Sequence, residues 1–225
     1  DTLYAYVADK ANHLIRRLGP VGTGATKPGV VTNLAPGVVK PAGVIVGKSG
    51  TTAFAVGKHA LYEIDISEKS NKLLAGQENS AGFVDGSGTA AMFNNPLGIA
   101  IYPDGHHVLI ADTDNCAIRR FTLSNYQVET FVGNPASGSL ACGTTDGSST
   151  ASARFDKPSA IAISSNQLFA IVIEGNGNSI RKIDLSTKSV ITLKSSPKYS
   201  FVKGGVAIGS QGNFVYFTDS KQHRV

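Results

Sequence analysis

Acids and bases crowd together at residues 111–121, ADTDNCAIRRF, where Asp112 and Asp114 stand beside Asn115, Cys116, Arg119 and Arg120. Carboxylates next to guanidinium groups suit proton transfer in a cleft, a grip on nucleic-acid phosphates, or a hydrogen-bonded structural corner. The histidines are the other side chains able to move a proton or hold a metal: His13, His59, His106, His107 and His223. No spacing among them resembles a metal set, and the adjacent pair His106-His107 reads as a solvated turn. A nucleophile elbow, a phosphate loop and a dinucleotide fingerprint are all missing, and GNGNS at 175–179 reads as a strand-to-strand turn. The residues thus suggest no catalytic side chain, no metal ligand and no cofactor. The chain is expected not to be an enzyme.

The corner has copies. YVADKANHLIRRL at 6–18 matches LIADTDNCAIRRF at 109–121, and VYFTDSKQHRV closes the chain at 215–225. The aligned aspartates are Asp9, Asp112 and Asp219, separated by 103 and 107 residues, two periods of blade size. A degenerate copy falls inside each gap: FAVGKHALYEIDIS at 54–67 and FAIVIEGNGNSIRKIDLS at 169–186. Small, β-branched runs precede each copy (PAGVIV, PLGIAI, PSAIAI, GGVAIG), and KLLAG, VETFVG and SVITL follow three of them. One unit is therefore four short strands joined by Gly, Pro and Asn turns, the pattern of propeller blades. The small first strand suits crowding around a central channel. In each corner the aspartate is expected to hold a tight turn by accepting backbone N–H groups, with Asn12 and Asn115 as structural corner residues and Asn115 free to turn left-handed. Paired bases such as Arg16/Arg17, Arg119/Arg120 and Arg181/Lys182 split between the two surfaces of a strand.

Composition agrees with that organisation. The chain has 225 residues, 41% hydrophobic and 16% charged, with 25 glycines and no tryptophan, enough to bury a core. No apolar run reaches membrane-spanning length, so membrane insertion is not expected. The net charge of +5 is spread along the sequence and argues only weakly for an acidic partner. Residue 1 is Asp with no apolar leader, which implies a signal peptide already removed or never included.

Residues 84–133, VDGSGTAAMFNNPLGIAIYPDGHHVLIADTDNCAIRRFTLSNYQVETFVG, strongly resemble an NHL repeat. The Asn-His of YVADKANHLIRRL and the Asp-Gly-to-Pro run TDGSSTASARFDKPSAIAI at 145–163 resemble the same family. The resemblance implies an all-β fold, a β-propeller of four-stranded blades that is most often six-bladed. On that pattern the chain is one propeller region of about four blades: a partial blade at 1–40, blades at about 41–93, 94–155 and 156–203, and a partial blade at 204–225. It would then be part of a larger ring, with further domains attached outside it. Some relatives are lyases with metal-binding histidines on innermost strands; here none of the five falls on such a strand. Others bind RNA through a basic face, for which Lys10, Lys27, Lys40 and Lys157 are the candidates, with few aromatic residues nearby.

In such a blade the loops after the second and fourth strands emerge on one face. The resemblance therefore brings Cys116, at a corner, near Cys142, in the long loop leading to the next blade. A disulfide there would stabilise by roughly 3 kcal/mol and imply an extracellular or secretory-pathway protein. Two free thiols in a cytoplasmic protein are the alternative. Loops at 19–41, 76–96 and 133–158 enlarge the same face, and binding tends to sit on loops held by a rigid scaffold. The expected role is a non-catalytic interaction module for a protein, peptide or glycan, with RNA binding and a metal-dependent lyase as alternatives.

Overall fold

The computed structural model describes residues 3–21, 30–133, 142–176, 178–195 and 204–218, so Asp219, His223 and Lys27 lie outside the described residues. The repeats fold as a succession of antiparallel sheets. The first contains β1 (Leu3–Asp9), β2 (Leu14–Val21) and β3 (Val30–Pro36). The second runs in order through β4 (Gly43–Val46), β5 (Thr52–Gly57), β6 (Ala60–Asp65) and β7 (Ser70–Gly76). The third adds the short β8 (Gly86–Ser87) outside β12 (Gln127–Val132), followed inward by β11 (Ala117–Thr122), β10 (His107–Asp112) and β9 (Gly98–Ile101). The fourth is β13 (Pro158–Ile163), β14 (Phe169–Glu174), β15 (Ser179–Asp184) and β16 (Val190–Ser195), and β17 (Val206–Ile208) with β18 (Val215–Phe217) forms the last. Strands β4, β9, β13 and β17 lie side by side as the innermost strands of successive sheets. The architecture is an all-β propeller arrangement of four-stranded blades. No helix among the described residues is long and apolar enough to cross a membrane.

Period-two alternation explains how the sheets stack. Side chains alternate faces along a strand, so a strand between two neighbouring sheets must be apolar on both sides. In β5, Phe54 and Val56 pack toward the third sheet while Ala53 and Ala55 pack toward the first. In β10, Val108 and Ile110 face the second sheet, and Leu109 and Ala111 face the fourth. In β14, Ala170 and Val172 face the third sheet, and Ile171 and Ile173 face β17 and β18. Each core is thus shared between two blades, and no blade can bury its apolar surface alone.

The crowding expected at the inner strands is present. A Cβ on Gly98 would come within 2.9 Å of Ala160 Cα and 3.0 Å of the Ser159 carbonyl on the neighbouring inner strand. The recurring IDIS and IDLS segments are turn caps between third and fourth strands. Asp65 accepts Ser67 N–H, Ser67 Oγ–H and Glu68 N–H; Asp184 accepts the matching three from Ser186 and Thr187. Those bonds favour the ionised form and hold the Asp184 carboxyl down at about 2.

Candidate functional site

At the first corner, Asn12 Nδ2 donates to both Asp9 oxygens at 2.9 Å and Arg16 Nε donates to Oδ2 at 2.6 Å. At the third-sheet corner, Asn115 Nδ2 and Arg119 Nη1 each donate to Asp112 Oδ2 at 2.8 Å, while Oδ1 accepts the N–H of Asn94. Asp112 therefore ties its own turn, through Asn115, to a segment eighteen residues upstream. Asn115 closes the 3₁₀ turn Thr113–Asn115, and the left-handed position falls one residue later, on Cys116 (φ 54°). His13 (φ 56°), His59 (φ 68°) and Asn178 (φ 45°) occupy that same position in the other corners. The left-handed conformation expected of Asn115 thus belongs to the residue after it, because the asparagine amide is committed to the aspartate.

Arg119 has more than a surface place. Its side chain is fully buried, and its two terminal nitrogens reach four acceptors: Asp112, the Met92 carbonyl, the Val84 carbonyl and Asp85. Arg181 repeats this with Glu174 and the carbonyls and carboxylate of Arg154, Thr145 and Asp146. Each arginine pins the hairpin that leads into its own blade onto the top of that blade. Phe83 and Phe93 stack on Arg119, and Phe155 on Arg181. The next residue of the pair, Arg120, points the other way and meets Glu129. Burial pushes the Asp112 carboxyl up to about 6 and that of Glu174 to about 7, in each case against the pull of the arginine. Glu174 Oε2 has no hydrogen-bond partner among the described residues, whereas both oxygens of Asp112 are bonded.

The corners also brace neighbouring blades. His13 Nδ1 accepts the backbone N–H of Lys40 (3.2 Å), and His59 Nδ1 accepts that of Asn95 (3.0 Å). Lys40, Asn95 and Lys157 each precede the proline that leads into or starts an innermost strand, and all three are left-handed, with φ of 47°, 51° and 56°. At the third corner the histidine position is Cys116, disulfide-bonded to Cys142 with Cα atoms 5.2 Å apart. Cys142 begins the hairpin of the following blade, so the bond links two blades. Lys157 Nζ to Asp114 (3.0 Å) and Thr113 Oγ to the Pro158 carbonyl (2.7 Å) reinforce the same junction.

These turns surround a cavity of about 300 Å³ where the innermost strands begin, lined by Ala8, Lys10, Pro41, Ala42, Asn95, Leu97, Ser159 and Gly204. It draws residues from five sheets. Lys10, Asn95 and Ser159 supply polar groups beside an apolar floor, and no carboxylate lines it. Two other clefts, about 420 and 250 Å³, open at the far ends of the sheets, around Lys48, Phe54, Glu63 and Asp104 and around Asp65 and Lys72. Among the described residues no group of three His, Cys, Asp or Glu side chains is placed to hold a metal ion. His107 stands at the start of a second strand, with Nδ1 3.2 Å from Thr122 Oγ. Of the lysines noted for a basic face, Lys10 lines the cavity, Lys40 is exposed beside it, and Lys157 is paired with Asp114.

Sequence reasoning passed over the buried arginines, Glu174, and the histidine braces. The usable signal was the repeat itself: Asp85-Gly86 and Asp146-Gly147 recur with the aspartate 34 residues before Arg119 and 35 before Arg181.

Residues 93–121 match the family model for the NHL repeat. The chain is 23% identical over 266 aligned positions to NHL repeat-containing protein 2 of Bos taurus, covering 98% of this chain and 36% of that protein. A 64-residue stretch, 28% of this chain, is 39% identical to Protein SUPPRESSOR OF QUENCHING 1, chloroplastic, of Arabidopsis thaliana, of which it spans 6%. The chain therefore spans about a third of the first of these relatives and a small part of the second. Among solved structures, an auxiliary nutrient binding protein of Bacteroides thetaiotaomicron superposes with a TM-score of 0.61 at 20% identity, over 83% of this chain and 44% of that one. A nidogen/laminin complex chain superposes with a TM-score of 0.63 at 10% identity, over 97% and 69%. Residues 93–121 are thus an NHL repeat set in a β-propeller arrangement of four-stranded blades, and the chain is similar over nearly its whole length to a protein named for that repeat.

Proposed function

We propose that this chain is a non-catalytic binding module whose partner, a protein, peptide or glycan, is held on the face carrying the corners and the disulfide. The observation that carries this reading is the cavity of about 300 Å³ assembled from the starts of the inner strands, with Lys10, Asn95 and Ser159 around an apolar floor. A concave site with a few convergent polar groups on rigid strands is the usual form of a ligand pocket. Solved neighbours described as nutrient binding and as part of a nidogen/laminin complex support a binding role for the scaffold. The Cys116–Cys142 bond supports an oxidising, extracellular or secretory-pathway setting.

Arrays of peptides and of glycans, probed with the labelled protein, test the reading. Hits should disappear in Leu97→Arg, which fills the cavity, and survive Lys48→Glu at the opposite end of the sheets. Ligands that ignore Leu97→Arg would move the site elsewhere. Binding confined to RNA and lost steeply with salt would favour the nucleic-acid alternative. Stoichiometric metal in the purified protein would favour the lyase alternative.

A further inference from the structure

Every described corner carries one left-handed residue, which at the first three lies against the start of the next blade, and the sequence fills that position in three ways. Two are imidazoles whose Nδ1 accepts a backbone N–H, His13 and His59; one is Cys116, locked by a disulfide; one is Asn178. A backbone N–H can only donate, so the 3.0 Å contact from Asn95 N–H requires an unprotonated Nδ1 on His59. Asn95 is itself in the left-handed region, a conformation that asparagine adopts more readily than most residues but that its neighbours must hold in place. It also precedes Pro96 and lines the cavity. The bond from His59 thus holds a left-handed residue of the cavity wall in place.

We propose that His59 is a pH-operated latch on this cavity: neutral, it fastens Asn95 into the wall; protonated, it presents a donor to a donor and lets Asn95 go. The consequence for a bound partner rests on the reading of the cavity as the binding site; the latch itself does not. The groups facing the imidazole are Lys58 on its own turn and Asp114 from the neighbouring blade, with Asp114 tied to Lys157 and Lys58 Nζ to Asn79. Half-burial, then the Lys58 charge, disfavour the imidazolium, and Asp114 opposes them in part. His13 and Lys40 repeat the arrangement one blade earlier.

Long-range ¹H–¹⁵N NMR of the histidine rings, with hydrogen exchange of the Asn95 amide between pH 5 and 8, tests the latch without any ligand. His59 should carry its proton on Nε2 alone at pH 8. As it protonates, Asn95 exchange should rise about tenfold beyond the intrinsic pH effect, the loss of one such hydrogen bond. His59→Asn supplies a residue that takes the left-handed conformation, as Asn178 does at its corner, with an amide oxygen as acceptor, and should abolish the pH dependence. His59→Ala should exchange fast throughout. An Asn95 amide indifferent to pH in the wild-type chain, or a pH dependence that persists in His59→Asn, overturns the proposal; should His59→Ala fail to fold, those two measurements still decide it. Failure of the array experiment with a working latch would discard the binding reading alone.

Discussion

Arg119 and Arg181 do for each blade what a short disulfide does for a loop: they fasten a lead-in hairpin to the sheet below through four acceptors apiece. Removing such a side chain strands a buried carboxylate, at a cost of about 3–5 kcal/mol. Arg119→Ala should therefore be strongly destabilised in urea titrations, and less so at pH 5 than at pH 8, because Asp112 then takes up a proton. Glu174 sets a second test. Its folded value of about 7 lies above the carboxylate's ordinary 4.5, so the folded state binds more protons across that window. Its contribution is full below about pH 4.5 and declines as pH rises to 7. Glu174→Gln has no such titration. Relative to the wild type it should gain about 1–3 kcal/mol between pH 4.5 and pH 7.5, read from paired urea melts.

At the scale of elements, the inner strands and the blade junctions carry the most restrictive contacts. Gly98 faces the backbone of β13 at Ala160, so Gly98→Val should cost several kcal/mol and depress the melting temperature of the whole array. The junction between the third and fourth sheets is held by the Cys116–Cys142 bond in place of the histidine brace seen at the two preceding junctions. Neither thiol should alkylate in denatured, unreduced protein, by intact mass. Reduction should cost about 3 kcal/mol, with increased exchange concentrated in residues 142–156 if the bond acts as a link between blades.

Considered whole, the molecule is a one-dimensional stack in which each core belongs to two blades. A destabilising change in one interface should lower the cooperativity of unfolding as well as its midpoint, visible as a smaller denaturant slope in Gly98→Val than in the parent. The same sharing makes the cavity a product of the stack: no single sheet supplies more than a few of its walls.

The repeat was legible in the sequence because strand alternation and turn residues are local properties. Asp-x-x-Asn corners, Pro-initiated small strands and the IDIS/IDLS caps each declare themselves within a few positions. The meeting of Cys116 and Cys142 was reachable too, once the repeat placed both on one face. What those corners grip was not. Arg119 next to Arg120 reads as an ordinary surface pair, and Glu174 in its Gly/Asn turn does not look like the counterpart of Asp112. The left-handed position also lay one residue beyond the asparagine that seemed suited to it. Burial of a guanidinium depends on a hairpin some thirty residues upstream folding back over it. A histidine becomes a brace only when the next blade brings an N–H to its Nδ1. Such pairings are set by which blades stack, and stacking exists only in the tertiary structure.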